Sequence, residues 1–534
     1  SLIDPVVQEY IYHKGLYLRE PEYKPIVRAK AISFENQDQP GWEILDHLGN
    51  TVLYRSPEAE AVLSRIGHER DQLLILKNAA EGDRPVGFVS YRELRSEELF
   101  GVLKSMELAN AVRRRTSREV LYITGIYARE REIHDGEAIR DPAQLLLAEA
   151  ITQALEKNCS FAIFAAERGT VSKEAIFALE RQGFVRPEML EEGEKRVIYM
   201  VDMHEPLMLL HNLETTIKEP FGSSPAVLAA IERNHKKLQT AMTKLYPGNL
   251  VLSLSSGVMH HRMVDRITAL NGVPGEPLTP RRLGENMCVP FGKILRGKVV
   301  PNTVTKTLHT DKVYEPGLDS YAIEAFPYYS PLESQIKTIK SFDRPVILVD
   351  DLVHRADRLQ ALAPSLKKAG IPIKKVVVGV ISGYGRDLME TFHLPVESIY
   401  SMPNLRQWFV ESTLYPFIGG DTVRRRDMKV AGLQASVNMI LPYAAPRLSG
   451  CSREALYEFS VCCIENSRDL LQVLETEYRS QFARNLTLSR LSEAVILPLC
   501  PDKGSCMEYD ENLAASVYLE NDLEMLGRMK RYMV

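Results

Sequence analysis

The spacing of apolar positions divides the chain into regions that predict different kinds of structure. Between residues 31 and 205, short runs such as QLLILKN and RPVGFVSYREL precede a long amphipathic stretch, DPAQLLLAEAITQALEKN. Alternating apolar residues predict half-buried strands, whereas a period near 3.6 predicts a helix with one buried face. The region is therefore predicted to be a mixed α/β domain.

The rest of the chain changes pattern twice more. Residues 206–245 are predicted to be a helical linker, with a hinge near KEPFGSSP. Strand-like and helix-like runs alternate over residues 246–425, which favours a mostly parallel sheet. Helical periodicity dominates residues 426–534, and residues 1–30 are predicted to be an N-terminal helix. The predicted fold class is a multi-domain α/β protein with a mixed sheet, a parallel sheet and a helical C-terminal region.

Composition narrows the partners that the chain is expected to have. Its 534 residues carry a formal net charge of −4 with 25% charged residues, which argues against a general nucleic-acid-binding surface. No apolar run is long enough to cross a bilayer, and the seven cysteines lack the spacing of a disulfide framework. We therefore expect a cytoplasmic protein with small-molecule ligands and no nucleic-acid or membrane partner; the helical C-terminal region could form a homo-oligomer.

Two adjacent carboxylates follow the most apolar run of the parallel region. In RPVILVDD, Asp350 and Asp351 come directly after four apolar residues. Ligands of open α/β sheets bind at the carboxyl ends of the strands. A sugar diol or Mg²⁺ would relieve the repulsion between the two charges. The alternative is that one aspartate caps the next helix while the other is solvated.

The run VILVDDLVHRADRL resembles the signature of the type I phosphoribosyltransferases, and the likeness extends over about residues 246–425. The resemblance implies that Asp350 and Asp351 hold the ribose hydroxyls of phosphoribosyl pyrophosphate and its Mg²⁺. The family usually has small and hydroxyl residues in the phosphate loop that follows, whereas this chain has His354, Arg355, Ala356 and Asp357. Arg355 could contact a phosphate, His354 could act as an acid or base, and Asp357 is unfavourable beside a dianion.

Other segments fall in the order that this resemblance implies. LSLSSG places Ser255, Ser256 and Gly257 in the turn that holds pyrophosphate. A mobile basic loop would cover the site, with Lys306 or Arg296 closing over the pyrophosphate and His309 as a further basic candidate. Ser382 and Gly383 follow a strand at the same sheet edge and could contact a base or sugar, or could simply form a turn. The reaction implied is Mg²⁺-assisted displacement at the anomeric carbon.

Residues 31–205 resemble the GNAT acetyltransferases, in which a central strand leads through a phosphate-binding turn into a long helix. The corresponding stretch here is IRDPAQLLL, which places Arg140 and Ala143 in the turn. The resemblance implies binding of acetyl-CoA, whose pyrophosphate would meet N–H groups at the start of the helix.

The first 17 residues, SLIDPVVQEYIYHKGLY, resemble the closing helix of bacterial nicotinate-nucleotide adenylyltransferases. They imply an upstream nucleotidyltransferase domain; a plain N-terminal helix is the alternative.

The function predicted first is a phosphoribosyltransferase-like enzyme that acts on a ribose-phosphate ligand in nucleotide-related metabolism. Two alternatives remain open. One is a degenerate protein that senses a nucleotide or serves as a scaffold, and the other is a GNAT acyltransferase that uses acyl-CoA.

Overall fold

The structure is a computed structural model. It describes residues 6–7, 32–50, 57–67, 70–78, 82–129, 141–188, 195–295, 298–326, 329–425, 430, 432–444, 446, 448–503 and 508–531. The chain forms two compact units: unit 1 comprises Ser1–Lys30 and Ser256–Pro403, and unit 2 comprises Ala31–Ser255 and Asn404–Val534.

The secondary structure is mixed throughout. The described strands are β1 (Ile32–Asp38), β2 (Gln72–Asn78), β3 (Arg84–Leu94), β4 (Val120–Ala128), β5 (Phe161–Glu167), β6 (Arg196–His211), β7 (Asn249–Ser255), β8 (Met287–Pro290), β9 (Val304–Thr305), β10 (Thr310–Tyr314), β11 (Tyr321–Ala325), β12 (Val346–Val353), β13 (Ile373–Ser382), β14 (Val396–Met402), β15 (Gln407–Val410), β16 (Asp421–Val423), β17 (Gln434–Val437) and β18 (Leu499–Pro501).

The helices alternate with these strands in the first two thirds of the chain. The described α-helices are α1 (Trp42–Asn50), α2 (Pro57–Leu63), α3 (Leu99–Leu103), α4 (Met106–Arg115), α5 (Pro142–Glu156), α6 (Lys173–Arg181), α7 (Pro225–Thr243), α8 (Ser256–Leu270), α9 (Leu332–Lys340), α10 (Asp357–Lys368), α11 (Gly383–Thr391), α12 (Arg453–Phe482), α13 (Leu491–Ala494) and α14 (Ala515–Lys530).

Unit 2 is built on an eight-stranded mixed sheet. Its path runs β1-β2-β3-β4-β5-β6-β15, with β7 also paired to β6. The strands from β1 to β4 are antiparallel, β4 and β5 are parallel, and β5 and β6 are antiparallel. Helix α5 connects the two parallel strands and is buried along most of its length. The predicted order, in which a central strand leads to a long helix, is confirmed.

The end of β6 begins a second, parallel part of the same sheet. Its residues from Leu207 onward pair in parallel with β7 and with β15. The helices α7, α12 and α14 pack their apolar side chains with these strands in one buried core, to which Leu209, Leu238, Leu471 and Leu519 belong. The predicted helical linker and C-terminal helices are therefore part of a shared core of unit 2.

Unit 1 is built on a five-stranded sheet in the order β14-β13-β12-β8-β9. Every pair in this sheet is parallel. Buried aliphatic side chains from the strands pack with those of α9 and α10, among them Val289, Leu348, Leu362 and Val378. The predicted parallel sheet is thus confirmed, with its central strand β12 carrying the aspartate pair.

The compact units do not follow the predicted domain boundaries. Strand β6 runs through the boundary predicted at residue 205, and β7 lies in the sheet of unit 2 although it was assigned to the region 246–425. The region after 425 also contains the short strands β17 and β18, which the helical periodicity did not predict. Such short strands carry too few residues for alternation to be recognised. No described helix is long and apolar enough to span a membrane.

Candidate functional site

The aspartate pair lies inside strand β12, at the point where β12 stops pairing with β8 and remains paired only with β13. Pairing with β8 ends at Val349, while pairing with β13 continues to Val353. The strand therefore runs past the carboxylates, whereas the apolar run had predicted its end there. Asp350 has 5% of its side chain exposed and Asp351 has 26%, so only the second can readily meet a ligand from solvent.

Arg358, on α10, binds both carboxylates. Its Nη1 donates to Asp350 Oδ1 at 2.7 Å and lies 3.3 Å from Asp351 Oδ1. Burial raises the pKa of Asp350 to about 7, partly offset by the charge of Arg358. Burial opposes the charge of Arg358 as well, but the two carboxylates raise its pKa, so it remains protonated. The like charges are thus compensated by a cation of the chain itself, which the sequence did not predict.

His354 and Ser382 meet at this sheet edge. The His354 ring Nδ1 lies 2.8 Å from Ser382 Oγ, and that hydroxyl accepts the Gly385 N–H as the N-cap of α11. Burial lowers the pKa of His354, which favours the neutral ring. Gly383 is a packing position, because a Cβ there would lie 2.7 Å from the Pro403 carbonyl oxygen. Ser382, the last residue of β13, and His354, which follows β12, therefore meet at the carboxyl edge of the parallel sheet.

His260, on α8, is another titratable group near the aspartates. Burial lowers the pKa of His260 to about 4, with the charge of Lys298 acting in the same direction and that of Asp351 in the opposite one. His260 and Lys298 are therefore within electrostatic range of each other and of the more exposed aspartate. The run VMHHRM gives no sign that His260 lies near Asp351, and only the fold reveals it.

The predicted phosphate loops differ from the structure. Ser255 is the last residue of β7, and Ser256 and Gly257 are the first residues of α8, so strand passes into helix with no intervening turn. Arg355 is exposed, and Asp357 begins α10, where it hydrogen-bonds to Tyr321.

The segment predicted to be a mobile cover packs largely into the protein. Val300 and Asn302 are fully buried, and the backbone N–H of Lys306 donates to the Cys288 carbonyl at 3.0 Å. The His309 ring stacks on Tyr329 with a centroid distance of 3.8 Å. Arg296 lies outside the described residues. The apolar residues between the basic ones account for the difference, because they are drawn into the core.

A second candidate site lies in unit 2, where β4 and β5 separate. They pair only from Val120 to Ile123 on β4 and from Phe161 to Phe164 on β5, although both strands continue. On the other side of β4, Ile123 pairs with Tyr91 and Gly125 with Ser90, so Thr124 is the extra residue of a β-bulge. A bulge bends its strand and increases the twist, which explains why β4 leaves β5 at this point.

Polar side chains surround this bulge. The Thr124 hydroxyl donates to Ser90 Oγ at 2.7 Å, and the Asp71 carboxylate accepts the Gly67 N–H at 2.8 Å with Arg92 Nη1 at 3.4 Å. Burial raises the pKa of Asp71. Sequence reasoning missed this group because its members come from separate elements, and the shift in pairing is visible only in the assembled sheet.

The start of α5 completes the second site. Pro142 is its first residue, and the N-cap, Asp141, makes no side-chain cap and instead binds Arg181. Gln144 is buried, and neither atom of its amide has a hydrogen-bond partner. Ala143, the predicted turn residue, lies in the helix and is buried. The other predicted residue, Arg140, lies outside the described residues.

Comparison with known proteins gives only distant likenesses. No protein-family model matches the chain. No curated protein matches it either.

Several solved structures resemble about a third of the chain. A polyamine N-acetyltransferase of Drosophila melanogaster is 12% identical with a TM-score of 0.23, covering 32% of this chain and 99% of its own. The N-acetyltransferase PseH of Campylobacter jejuni is 10% identical with a TM-score of 0.20, over 32% of this chain and 99% of its own. FeeM, an N-acyl amino acid synthase from uncultured soil microbes, is 14% identical with a TM-score of 0.22, over 32% of this chain and 91% of its own. TM-scores this low support no functional argument, so the function of this chain has to be inferred from its own geometry.

Proposed function

We propose that the mixed-sheet part of unit 2 binds an acyl-coenzyme A and transfers the acyl group to an acceptor. The observation that carries the proposal is the bulge at Thr124, where β4 separates from β5. Two parallel strands that part present backbone N–H and C=O groups along the opening. The pantetheine arm of coenzyme A is an extended chain with two amides, which can pair with such groups as an added strand does.

The helix between the two strands suits the charged end of the same ligand. The first N–H groups of a helix lack intrahelical partners and favour an anion. The N-cap of α5 makes no side-chain cap hydrogen bond, and its negative charge is compensated by Arg181. The buried amide of Gln144, in the first turn, has its donor and acceptor both unused. A pyrophosphate at this end could engage the free N–H groups.

Two groups beside the opening fit the proton transfers that acyl transfer requires. An attacking amine must lose a proton as its nitrogen bonds to the thioester carbon, and the departing thiolate must gain one. The raised pKa of Asp71 makes it a better base near neutral pH than an ordinary aspartate. The Tyr122 hydroxyl, 3.3 Å from the Ala165 carbonyl, remains protonated because burial raises its pKa. We assign Asp71 as the candidate base and Tyr122 as the candidate acid.

A charge placed in the first turn of α5 tests this function. Leu145 is half-buried there, and Leu145→Glu and Leu145→Gln remove the same apolar side chain while differing in charge. Calorimetric titration of coenzyme A should show binding to the wild type and the Gln variant, with affinity at least tenfold lower for Glu. No binding to the wild type, or equal affinity of both variants, would overturn the proposal.

A second candidate function is favoured by the aspartate pair of unit 1. We infer that its sheet edge binds a ribose-phosphate ligand, with phosphoribosyl pyrophosphate and Mg²⁺ as the probe. Asp351, about a quarter of whose side chain is exposed, would accept a ribose hydroxyl, while Arg358 holds both carboxylates in place. In this arrangement Asp350 is a positioning residue, because it is almost fully buried.

The matched pair Asp351→Asn and Asp387→Asn tests the second function, since Asp387 is exposed on the nearby helix α11. Heat of binding for phosphoribosyl pyrophosphate with Mg²⁺ should be lost in the first variant and kept in the second. Absence of binding to the wild type would favour the sensor or scaffold alternatives for this unit.

A further inference from the structure

Three metal-ligating side chains converge in unit 2, away from the residues assigned above. His211 is the last residue of β6, His235 lies on α7, and Glu411 directly follows β15. Their ligand atoms all lie within 4.8 Å of one another. His211 Nδ1 is 3.0 Å from Glu411 Oε2, and His235 Nε2 is 2.8 Å from that oxygen. The two imidazole rings are 4.2 Å apart between centroids.

The sheet explains why these residues meet although they are distant in sequence. Residues of β15 and of the end of β6 pair in parallel, with Val410 opposite Leu210. The next residues along the two strands are Glu411 and His211, so both emerge at the same carboxyl edge. Helix α7 packs in the same core and supplies His235. Carboxyl edges of parallel strands are where α/β proteins place their ligands.

The cluster is enclosed by protein. Glu411 has 0% of its side chain exposed, His211 10% and His235 16%. Tyr415 donates its hydroxyl to Glu411 Oε1 at 3.3 Å. A carboxylate this deeply buried requires a cation beside it.

Gln239 indicates what kind of cation suits the cluster. It lies one turn after His235 on α7, and its amide nitrogen is 2.9 Å from His211 Nε2, while its Oε1 has no hydrogen-bond partner although the residue is buried. Exchanging the nitrogen and oxygen of this amide lets Oε1 accept a hydrogen bond from Nε2–H of His211.

That exchange fixes the tautomer of His211. With the proton on Nε2, the lone pair of Nδ1 faces Glu411 Oε2 at 3.0 Å, and this arrangement requires either a second proton or a metal ion between the two atoms. A metal ion satisfies every one of these groups, and an outer hydrogen bond from the ring N–H to Gln239 is the usual support of a metal-bound histidine.

We propose that His211 Nδ1, His235 Nε2 and a Glu411 carboxylate oxygen bind a divalent transition metal of the zinc class. Two imidazoles and one carboxylate are a ligand set that zinc takes with a fourth, open position. Bonds of about 2.0–2.1 Å in a tetrahedron separate the ligand atoms by about 3.3 Å. The distances from His211 Nδ1 and His235 Nε2 to Glu411 Oε2 are 3.0 Å and 2.8 Å, so each of these two needs to lengthen by only a few tenths of an ångström. A site with nitrogen and oxygen ligands and no thiolate also binds Co²⁺, whose absorption bands in the visible range report on the ligands.

The metal titration uses the full chain after treatment with a chelator and dialysis. Zn²⁺ should bind tightly at one equivalent and raise the thermal midpoint of the wild type. Co²⁺ should give visible bands without the sulfur-to-metal band that cysteine ligands produce. Glu411→Gln, His211→Asn and His235→Asn should each weaken binding at least tenfold. His204→Asn is the matched control, because His204 also lies on β6 with its Nδ1 2.9 Å from a carboxylate oxygen, that of Asp202.

Gln239→Leu keeps all three ligands and removes only the outer hydrogen bond, so it separates metal loss from failure to fold. We expect weaker binding in this variant, between the wild type and the ligand variants. The proposal would be overturned if the wild type did not bind one equivalent of Zn²⁺ tightly, or if the Co²⁺ spectrum contained a sulfur-to-metal band. It would also be overturned if His204→Asn bound the metal as weakly as the ligand variants.

Discussion

The two buried carboxylate sites differ in the cation that compensates their negative charge. In unit 1, Asp350 and Asp351 are compensated by Arg358, which cannot lose its proton under ordinary conditions. In unit 2, Glu411 is compensated by His211 and His235, which can release a proton or exchange it for a metal. The cation of the first site keeps its charge at any ordinary pH, whereas the cations of the second depend on pH and on the ions available.

This difference has a consequence for what each site can bind. A carboxylate hydrogen-bonded to arginine is held in a fixed position, which suits the binding of hydroxyl groups of a ligand. A carboxylate held by two histidines presents three ligand atoms with adjustable protonation, which suits a metal. The contrast can be tested by removing each cation or charge in turn.

Removal of Arg358 should have the largest effect. Arg358→Met leaves two neighbouring carboxylates without their cation, one of them almost fully buried. Breaking a buried ion pair typically costs about 3–5 kcal/mol. We expect a loss of this size in unit 1, measured by hydrogen exchange of peptides from β12 and β13, because both tryptophans, Trp42 and Trp408, lie in unit 2.

Arg355→Met is the matched control for this change, since the same side-chain types are exchanged at an exposed position nearby. Its effect should remain within about 0.5 kcal/mol, as is usual for surface substitutions. Equal losses in the two variants would show that the ion pair contributes no net stability.

Glu411→Gln should cost less than Arg358→Met, even though Glu411 is more deeply buried than Asp351. Imidazole, unlike guanidinium, can be neutral at ordinary pH, so no uncompensated charge remains once the carboxylate is replaced by an amide. The amide still loses hydrogen bonds to buried partners, for which about 1–3 kcal/mol is expected. Urea unfolding with a chelator present, followed by tryptophan fluorescence, reports on this region because Trp408 lies on β15. A loss larger than that of Arg358→Met would contradict the proposed difference.

The sequence predicted the sheets far better than the residues that complete the sites. Runs such as RPVGFVSYREL and SFAIFAAE are long and apolar enough to mark strands β3 and β5 by themselves. The adjacent aspartates were visible because both come from one strand. Arg358 was hidden because an arginine on a helix usually faces solvent, and only the crossover from β12 to α10 turns it back onto Asp350.

The histidine cluster could not have been predicted from spacing. His211 and Glu411 are 200 positions apart, and no local motif links them. Their proximity depends on the parallel pairing of β6 with β15, a long-range contact that periodicity does not encode. The bulge at Thr124 is similar, since it arises from a register shift between β3 and β4 that is absent from either strand alone.

Acidification should weaken unit 2 through its histidine cluster. Burial lowers the folded-state pKa of His211, so the unfolded chain binds a proton first as the pH falls below about 6.5. Glu411 has a folded-state pKa of about 2, so its contribution is present above its ordinary pKa and is lost as the pH falls toward 2. Both shifts reduce stability on acidification.

Between pH 7 and 5.5 we expect His211 to contribute a loss of roughly 1 kcal/mol or less, measured as the difference between wild type and His211→Gln in urea unfolding of the metal-free protein. His211→Gln should flatten this part of the profile. If the free energy of unfolding of that variant changed with pH as steeply as that of the wild type, the pH dependence would arise from other groups.

The smallest effect on stability is expected for Asp351→Asn. Its side chain is about a quarter exposed, and Arg358 retains its closer contact with Asp350 at 2.7 Å, so the change should cost less than about 1 kcal/mol. Hydrogen exchange of peptides from β12 should therefore differ little from the wild type, whereas Asp350→Asn should accelerate it, because the buried Arg358 then loses its nearest carboxylate. If the two variants were equally destabilised, both aspartates would be structural, and the sheet edge would lack the free acceptor that a ribose hydroxyl requires.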